Sequence, residues 1–171
     1  MQKAIFLAVQ EHLLAAGLGV EHFDWFNHQY DETDPENRRE GDFAYPAVFI
    51  EFQPYQPSSH GLHIQRADIT FRLHLVTTNY AHSRAGLSEQ SQALEHLDLA
   101  ARLYAAFQGW NYKDTQGRQV LNTCTRTNIT PDHNQTNQVV NIQDFHTLAF
   151  DFAAVPVRQA VQPALVPSAH S

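Results

Sequence analysis

Ile69-Thr-Phe-Arg-Leu-His-Leu-Val-Thr77 decides how this chain is read. Ile69, Phe71, Leu73 and Leu75 are apolar, and Thr70, Arg72 and His74 between them are polar. Side chains alternate across a strand, so this pattern predicts a strand with one face on a core. The other face is left for water or a partner. Such a sheet needs an apolar layer on its inner face.

Two helices are expected to supply that layer. Residues 2–17 place Ile5, Phe6, Val9, Leu13 and Ala16 on one side, and Gly17 and Gly19 stop the run. Residues 89–108 give the stronger helix. Ala93, Leu94, Leu97, Ala100, Ala101, Tyr104 and Phe107 form its stripe, Ser88 is a candidate N-cap and Gly109 ends it. His96 sits beside the stripe as a boundary residue.

Three further strands are expected. Phe43–Phe52 is an apolar run entered through Pro46. Its connection to the next strand, 53–63, carries two prolines and a glycine, which makes an antiparallel neighbour the simplest arrangement. Residues 119–129 alternate less cleanly, and a polar loop over 130–138 follows. In 139–152, Val140, Ile142, Leu148, Phe150 and Phe152 share one parity with Asp144 and His146, which implies a bulge or a switch of inner face. The fold class expected is α+β, a mainly antiparallel four-stranded sheet with two helices packed on one face. Residues 1–155 form one domain, with long loops at 27–42 and 53–63. Residues 156–171 form a Pro/Ala-rich arm or tail.

Composition bounds the function. A chain of 171 residues buries roughly 70% of its unfolded surface and needs no metal or disulfide for stability. Its single cysteine, Cys124, forms no internal disulfide and reads as a buried structural thiol. The net charge of −7 argues against wrapping nucleic acid, which needs a basic footprint. No stretch approaches the ~20 apolar residues of a membrane span. The opening segment reads as a helix rather than a signal peptide.

The residues suggest little chemistry. No phosphate loop, dinucleotide fingerprint, nucleophile elbow or paired-cysteine zinc site is present. Asp31, Glu32, Asp34 and Glu36 resemble a calcium loop in composition, but their spacing is not that of an EF-hand. His60 and His63 have no nearby third ligand. Asp144 and His146 lie on one side of a strand and read as a structural pair. No catalytic residue, metal or cofactor is expected. The aromatic cluster Phe23, Trp25 and Phe26 reads as a core plug, with a small-molecule or peptide-binding module as the alternative.

The order helix, strand, long loop, strand, helix, strand, strand resembles the tail terminator (tail-completion) proteins of long-tailed bacteriophages and prophages. It also resembles the small neck and head–tail joining proteins of related fold. The resemblance rests on the Ile5–Leu14 helix, Tyr45-Pro-Ala-Val-Phe-Ile-Glu51, the 69–77 strand, and the 94–107 helix with the two strands after it. It covers residues 1–155, and the 27–42 loop and the tail depart from it. It implies a structural, non-enzymatic virion protein, assembled in the host bacterial cytoplasm. Such proteins form a homo-oligomeric ring, commonly hexameric, at the tail end or neck. The partners implied are the chain itself and tail-tube or neck proteins, with no membrane and no sequence-specific nucleic-acid binding. An acidic surface suits a channel through which DNA slides. Arg72 and His74 on the strand, with Tyr55, His60 and His63 on the 53–63 loop, are then the candidates for subunit or tube contact.

Overall fold

The structure is a computed structural model that describes residues 1–30, 43–78, 90–132 and 138–156. The acidic stretch 31–36, the Ser88 cap and the tail from 157 lie outside the described residues.

Helix α1 spans Gln2–Ala15 and buries Ile5, Ala8, Val9 and Leu13. It ends at Gly17, whose φ of 60° is a left-handed value that glycine adopts without strain. Strand β1, His22–Trp25, then runs parallel to β2, Ala47–Phe52. A parallel pair needs a long return connection, and residues 26–46 supply it. The stub β3, Ser58–Ser59, forms a hairpin with β4, Gln65–Thr78. Helix α2 covers Gln90–Phe107. After it come β5 Tyr112–Lys113, β6 Gln119–Leu121, β7 Thr125–Asp132 and β8 Gln138–Asp151.

The expected four-stranded, mainly antiparallel sheet is overturned. Eight strands build one mixed, curled sheet of order β1-β2-β4-β8-β6-β5, with β3 on β4 and β7 on β8. The reason is local. Strands β1, β3, β5 and β6 have only two to four residues, too few for period-two alternation to register. The expected 119–129 strand is two strands, because the chain turns inward at Cys124. There the Cys124 amide donates to the Trp110 carbonyl at 2.7 Å, and the Gly109 amide donates to the Cys124 carbonyl at 2.9 Å.

The spine is β4 against β8, antiparallel and in unbroken register across fourteen residues each. Ile69, Phe71, Leu73 and Leu75 are buried with Val48 and Ile50 of β2, the α1 residues, and Leu99, Ala100, Leu103 and Phe107 of α2. Both helices therefore lie on one face. Phe71 stacks on Phe145 at 5.7 Å and meets Phe107 edge-on at 6.1 Å.

Register also fixes the inner face of β8. Ile69, Phe71, Leu73 and Leu75 stand opposite Thr147, Phe145, Gln143 and Asn141, so the odd-numbered residues of β8 face the helices. No switch of face occurs in β8. The apolar Val140, Ile142, Leu148 and Phe150 sit on the opposite face, while polar Gln143 is fully buried. Gln143 is satisfied there. Its Nε2 donates to the Ala100 carbonyl at 2.9 Å and to Asn141 Oδ1 at 3.0 Å. Helix α2 is rolled relative to its expected stripe. Leu99 and Leu103 are buried, whereas Leu94 and Leu97 are 37% and 57% exposed and Ala101 is exposed.

Candidate functional site

The sheet face away from the helices carries a connected polar cluster. Three neighbouring strands each place one charged residue on this face at matching register. Glu51 of β2 stands opposite Arg72 of β4, and Arg72 stands opposite Asp144 of β8. Arg72 donates from Nε to Asp144 Oδ1 at 2.7 Å and from its Nη2 to Oδ2 at 3.2 Å, a two-pronged pairing. Its Nη1 reaches Glu51 Oε2 at 3.4 Å. Asn128 Nδ2 of β7 adds a bond to Asp144 Oδ2 at 3.3 Å.

His74 extends this row. The Tyr30 hydroxyl donates to its Nδ1, and its Nε2–H donates to Glu51 Oε2 at 3.3 Å, which is the neutral tautomer consistent with both partners. Phe26 lies flat on the imidazole, with centroids 4.1 Å apart and planes 13° apart. Tyr30, Ala47, Phe49, Val76 and Val140 are buried around it, with Phe26, Phe43, Tyr45 and Ile142 packed at the rim. Residues 26–30 thus form an aromatic strap over one end of this face. His28 within it has a φ of 58°, a left-handed value uncommon outside glycine.

The electrostatics follow from burial and pairing. Burial pushes the His74 imidazole down to about 4, helped by the charge of Arg72 and opposed by Glu51. The ring is therefore neutral at pH 7. Burial works against the Asp144 carboxylate, but the hydrogen bond and charge of Arg72 outweigh it, and its pKa lies below the usual range. The Arg72 guanidinium is raised, first by its hydrogen bond to Asp144 and against its own burial. Each charge is answered by a neighbour, and His74, 3% exposed, is closed in by its own chain. The chemistry this arrangement supports is clamping, which holds the strap to the sheet.

The other expected contact residues lie elsewhere. Tyr55 packs at the rim of the helix-side core. His60 and His63 are exposed around the β3–β4 turn, with His60 edge-on to Phe150 at 5.2 Å. That turn lies about 30 Å along β4 from His74 at ~3.3 Å per residue, so these five residues do not form one site. Asp144 and His146 share a face but not a bond, since His146 Nε2 meets Asp68 Oδ1 at 3.8 Å. The Phe23/Trp25/Phe26 cluster is split across the sheet. Phe23 and Trp25 pack on Phe6 of α1 at 4.9 and 6.3 Å, whereas Phe26 covers His74. His96 is half-buried and bonded to the Thr77 hydroxyl at 2.8 Å, and burial lowers its pKa. The Cys124 thiol is buried and pushed up to about 12, chiefly by desolvation, as befits a structural thiol.

Sequence reading placed Arg72 and His74 on this face but missed Glu51, Tyr30 and Asn128 as their partners. A signal was present. Glu51 and Asp144 are lone charges inside otherwise uncharged strand segments, 43–52 and 139–150, apart from Asp42 and Asp151 at their margins. Such charges are rarely left unpaired.

The class that the fold and this cluster define is a two-layer α+β protein, with helices on one sheet face and a polar, aromatically strapped face opposite. Neither protein-family models nor curated proteins give a match to the chain.

Proposed function

We propose that this protein is a structural assembly protein of a phage or prophage tail or neck. It forms a homo-oligomeric ring at the tail end or the head–tail junction, with tail-tube or neck proteins as its partners. The observation that carries the reading is a single sheet whose two ends are unlike. Among the described residues, β1 pairs only with β2 at one end, while at the other β5 pairs only with β6 and β7 only with β8. Two unlike edges favour head-to-tail association, which closes into a ring when the rotation per subunit allows. The exposed turn at 60–63, with Leu62 at its tip, is suited to engage a tube. The clamped strap on the polar face gives each subunit a rigid body, and its residues need no catalytic step.

The test is the mass of the purified protein in solution over a concentration series, read by light scattering, with tail tubes of the same phage as partner. A defined oligomer that caps tube ends in electron micrographs is expected. A strict monomer at high concentration that leaves tube ends bare overturns the reading.

A further inference from the structure

The helix side of the molecule carries an apolar ridge at one end of the sheet and an apolar cleft at the other. The ridge belongs to α2 and β7. Tyr104 of α2 holds the Arg126 guanidinium over its ring at 3.7 Å, so this flank of the helix faces β7. Leu97 lies seven residues, about two turns, before Tyr104 on the same flank, and it is exposed together with Leu94. Ile129 of β7 pairs with Gln143, whose side chain reaches α2, so Ile129 lies on the helix side beside this flank, 49% exposed.

The cleft lies between the end of α1 and β1. It encloses about 340 Å³ and is lined by Leu13, Leu14, Leu18, Val20, Phe23 and Glu21 among others. Leu14 is 72% exposed at its lip, and Trp25 of β1 is 40% exposed nearby. Soluble chains rarely leave apolar surface grouped in this way without a partner.

Charge matches the two surfaces. Beside the ridge, Arg126 bonds Gln143 Oε1 at 3.3 Å and stacks on Tyr104, and among the described residues it has no carboxylate partner. Glu21 in the cleft wall is exposed and likewise has no cation partner among the described residues. We infer that the ridge Leu94–Leu97–Ile129 of one copy seats in the α1–β1 cleft of a second copy, with Arg126 of the first meeting Glu21 of the second. This rests on the ring reading and names its contact. Among the described residues, both surfaces lie beside strands paired on one side alone, β7 and β1, so one repeated contact joins unlike ends of the sheet, as head-to-tail association requires.

Complementation tests it. Leu97→Glu spoils the ridge and Leu14→Glu spoils the cleft. Both positions are exposed, so each variant is expected to keep the wild-type circular dichroism and melting. Each alone should weaken self-association by at least about tenfold, the scale of an interface anchor. Mixing the two should give a one-to-one heterodimer through the single intact contact. Glu21→Arg with Arg126→Glu should regain association that either change alone loses. If the wild type is oligomeric and both leucine variants keep its mass, the contact is wrong while the ring reading stands. If folded variants dissociate but never pair on mixing, head-to-tail seating is wrong. If the mass is unchanged and native mass spectrometry finds a small apolar molecule in the cleft, the cleft is a ligand site and the inference falls. A monomeric wild type removes the ring reading and this contact together.

Discussion

The two faces of the β4–β8 spine are built by opposite rules. On the helix side, β4 contributes Ile69, Phe71, Leu73 and Leu75, while β8 contributes Asn141, Gln143 and Thr147 beside Phe145 and Ala149. On the other side, β4 contributes Thr70, Arg72 and His74, while β8 contributes Val140, Ile142, Leu148 and Phe150 beside Asp144 and His146. Each face thus mixes apolar and polar residues, and on the strapped side Asp144 of β8 answers Arg72 of β4. The helix side tolerates its polar residues because helix and loop groups meet them: the Ala100 carbonyl accepts from Gln143, and the Asn122 carbonyl accepts from Thr147 at 2.8 Å. The strapped side tolerates its charges because three strands bring opposite signs into register. Polarity along β8 alone therefore does not say which of its faces is buried. The partner across the ladder decides it.

The two faces should differ most when each loses one ring. Phe71→Ala opens the fully buried stack with Phe145 and Phe107, and a loss of about 3–5 kcal/mol is expected in urea unfolding. Phe26→Ala removes a half-exposed strap ring and should cost about 1–2 kcal/mol. Equal losses would mean that the strapped face is as much a core as the helix side.

The charge row comes next. Asp144→Ala leaves Arg72 and Asn128 facing an empty position and should cost about 2–3 kcal/mol. Arg72→Met with Asp144→Leu removes both charges and should recover most of that loss. A double variant no better than the single one would show that the row contributes more than pairing.

Titration of His74 separates the faces by pH. Its folded pKa of about 4 lies below the ordinary 6.5, so folding favours the neutral ring. The stabilisation is complete above pH 6.5 and is lost as pH falls from there through 4, on the order of 3 kcal/mol. His74→Phe keeps the ring against Phe26 and should flatten the stability profile in that window. An unchanged acid slope would remove His74 as its source.

The smallest effect is expected at Gln143. Gln143→Leu leaves Asn141 Oδ1 without its donor and Arg126 without its Oε1 acceptor, while the Ala100 carbonyl keeps its helix partner and Arg126 its place over Tyr104, so about 1 kcal/mol should be lost. A loss as large as that of Phe71→Ala would make the buried amide a keystone of the helix side.

Much of the fold was legible because its long elements carry their periods openly. The 69–75 alternation gave the correct inner face of β4, and the apolar side of residues 5–13 gave the buried face of α1. The α2 stripe was less legible. Apolar residues cover more than half of that helix, so its period fits several rolls, and docking on the sheet selected Leu99 and Leu103 over Leu94 and Leu97. In β8 the apolar parity pointed to the wrong face, because the buried odd-numbered row includes Asn141, Gln143 and Thr147. Of the strapped cluster, only Arg72 and His74 were visible as outward residues. Glu51 and Tyr30 approach them from 21 and 44 positions away along the chain.

By itself, then, the sequence determined two helices, the spine strands and a sheet with its helices on one side. These follow from local periodicity, which a strand or helix expresses within its own few turns. Only the tertiary structure decided the mixed eight-stranded sheet, the roll of α2, the inner face of β8 and the Glu51–Arg72–Asp144 row. The physical reason is register. Which residues stand opposite each other is set by the pairing of distant strands, and a slip of one position would send every side chain of β8 to the other face.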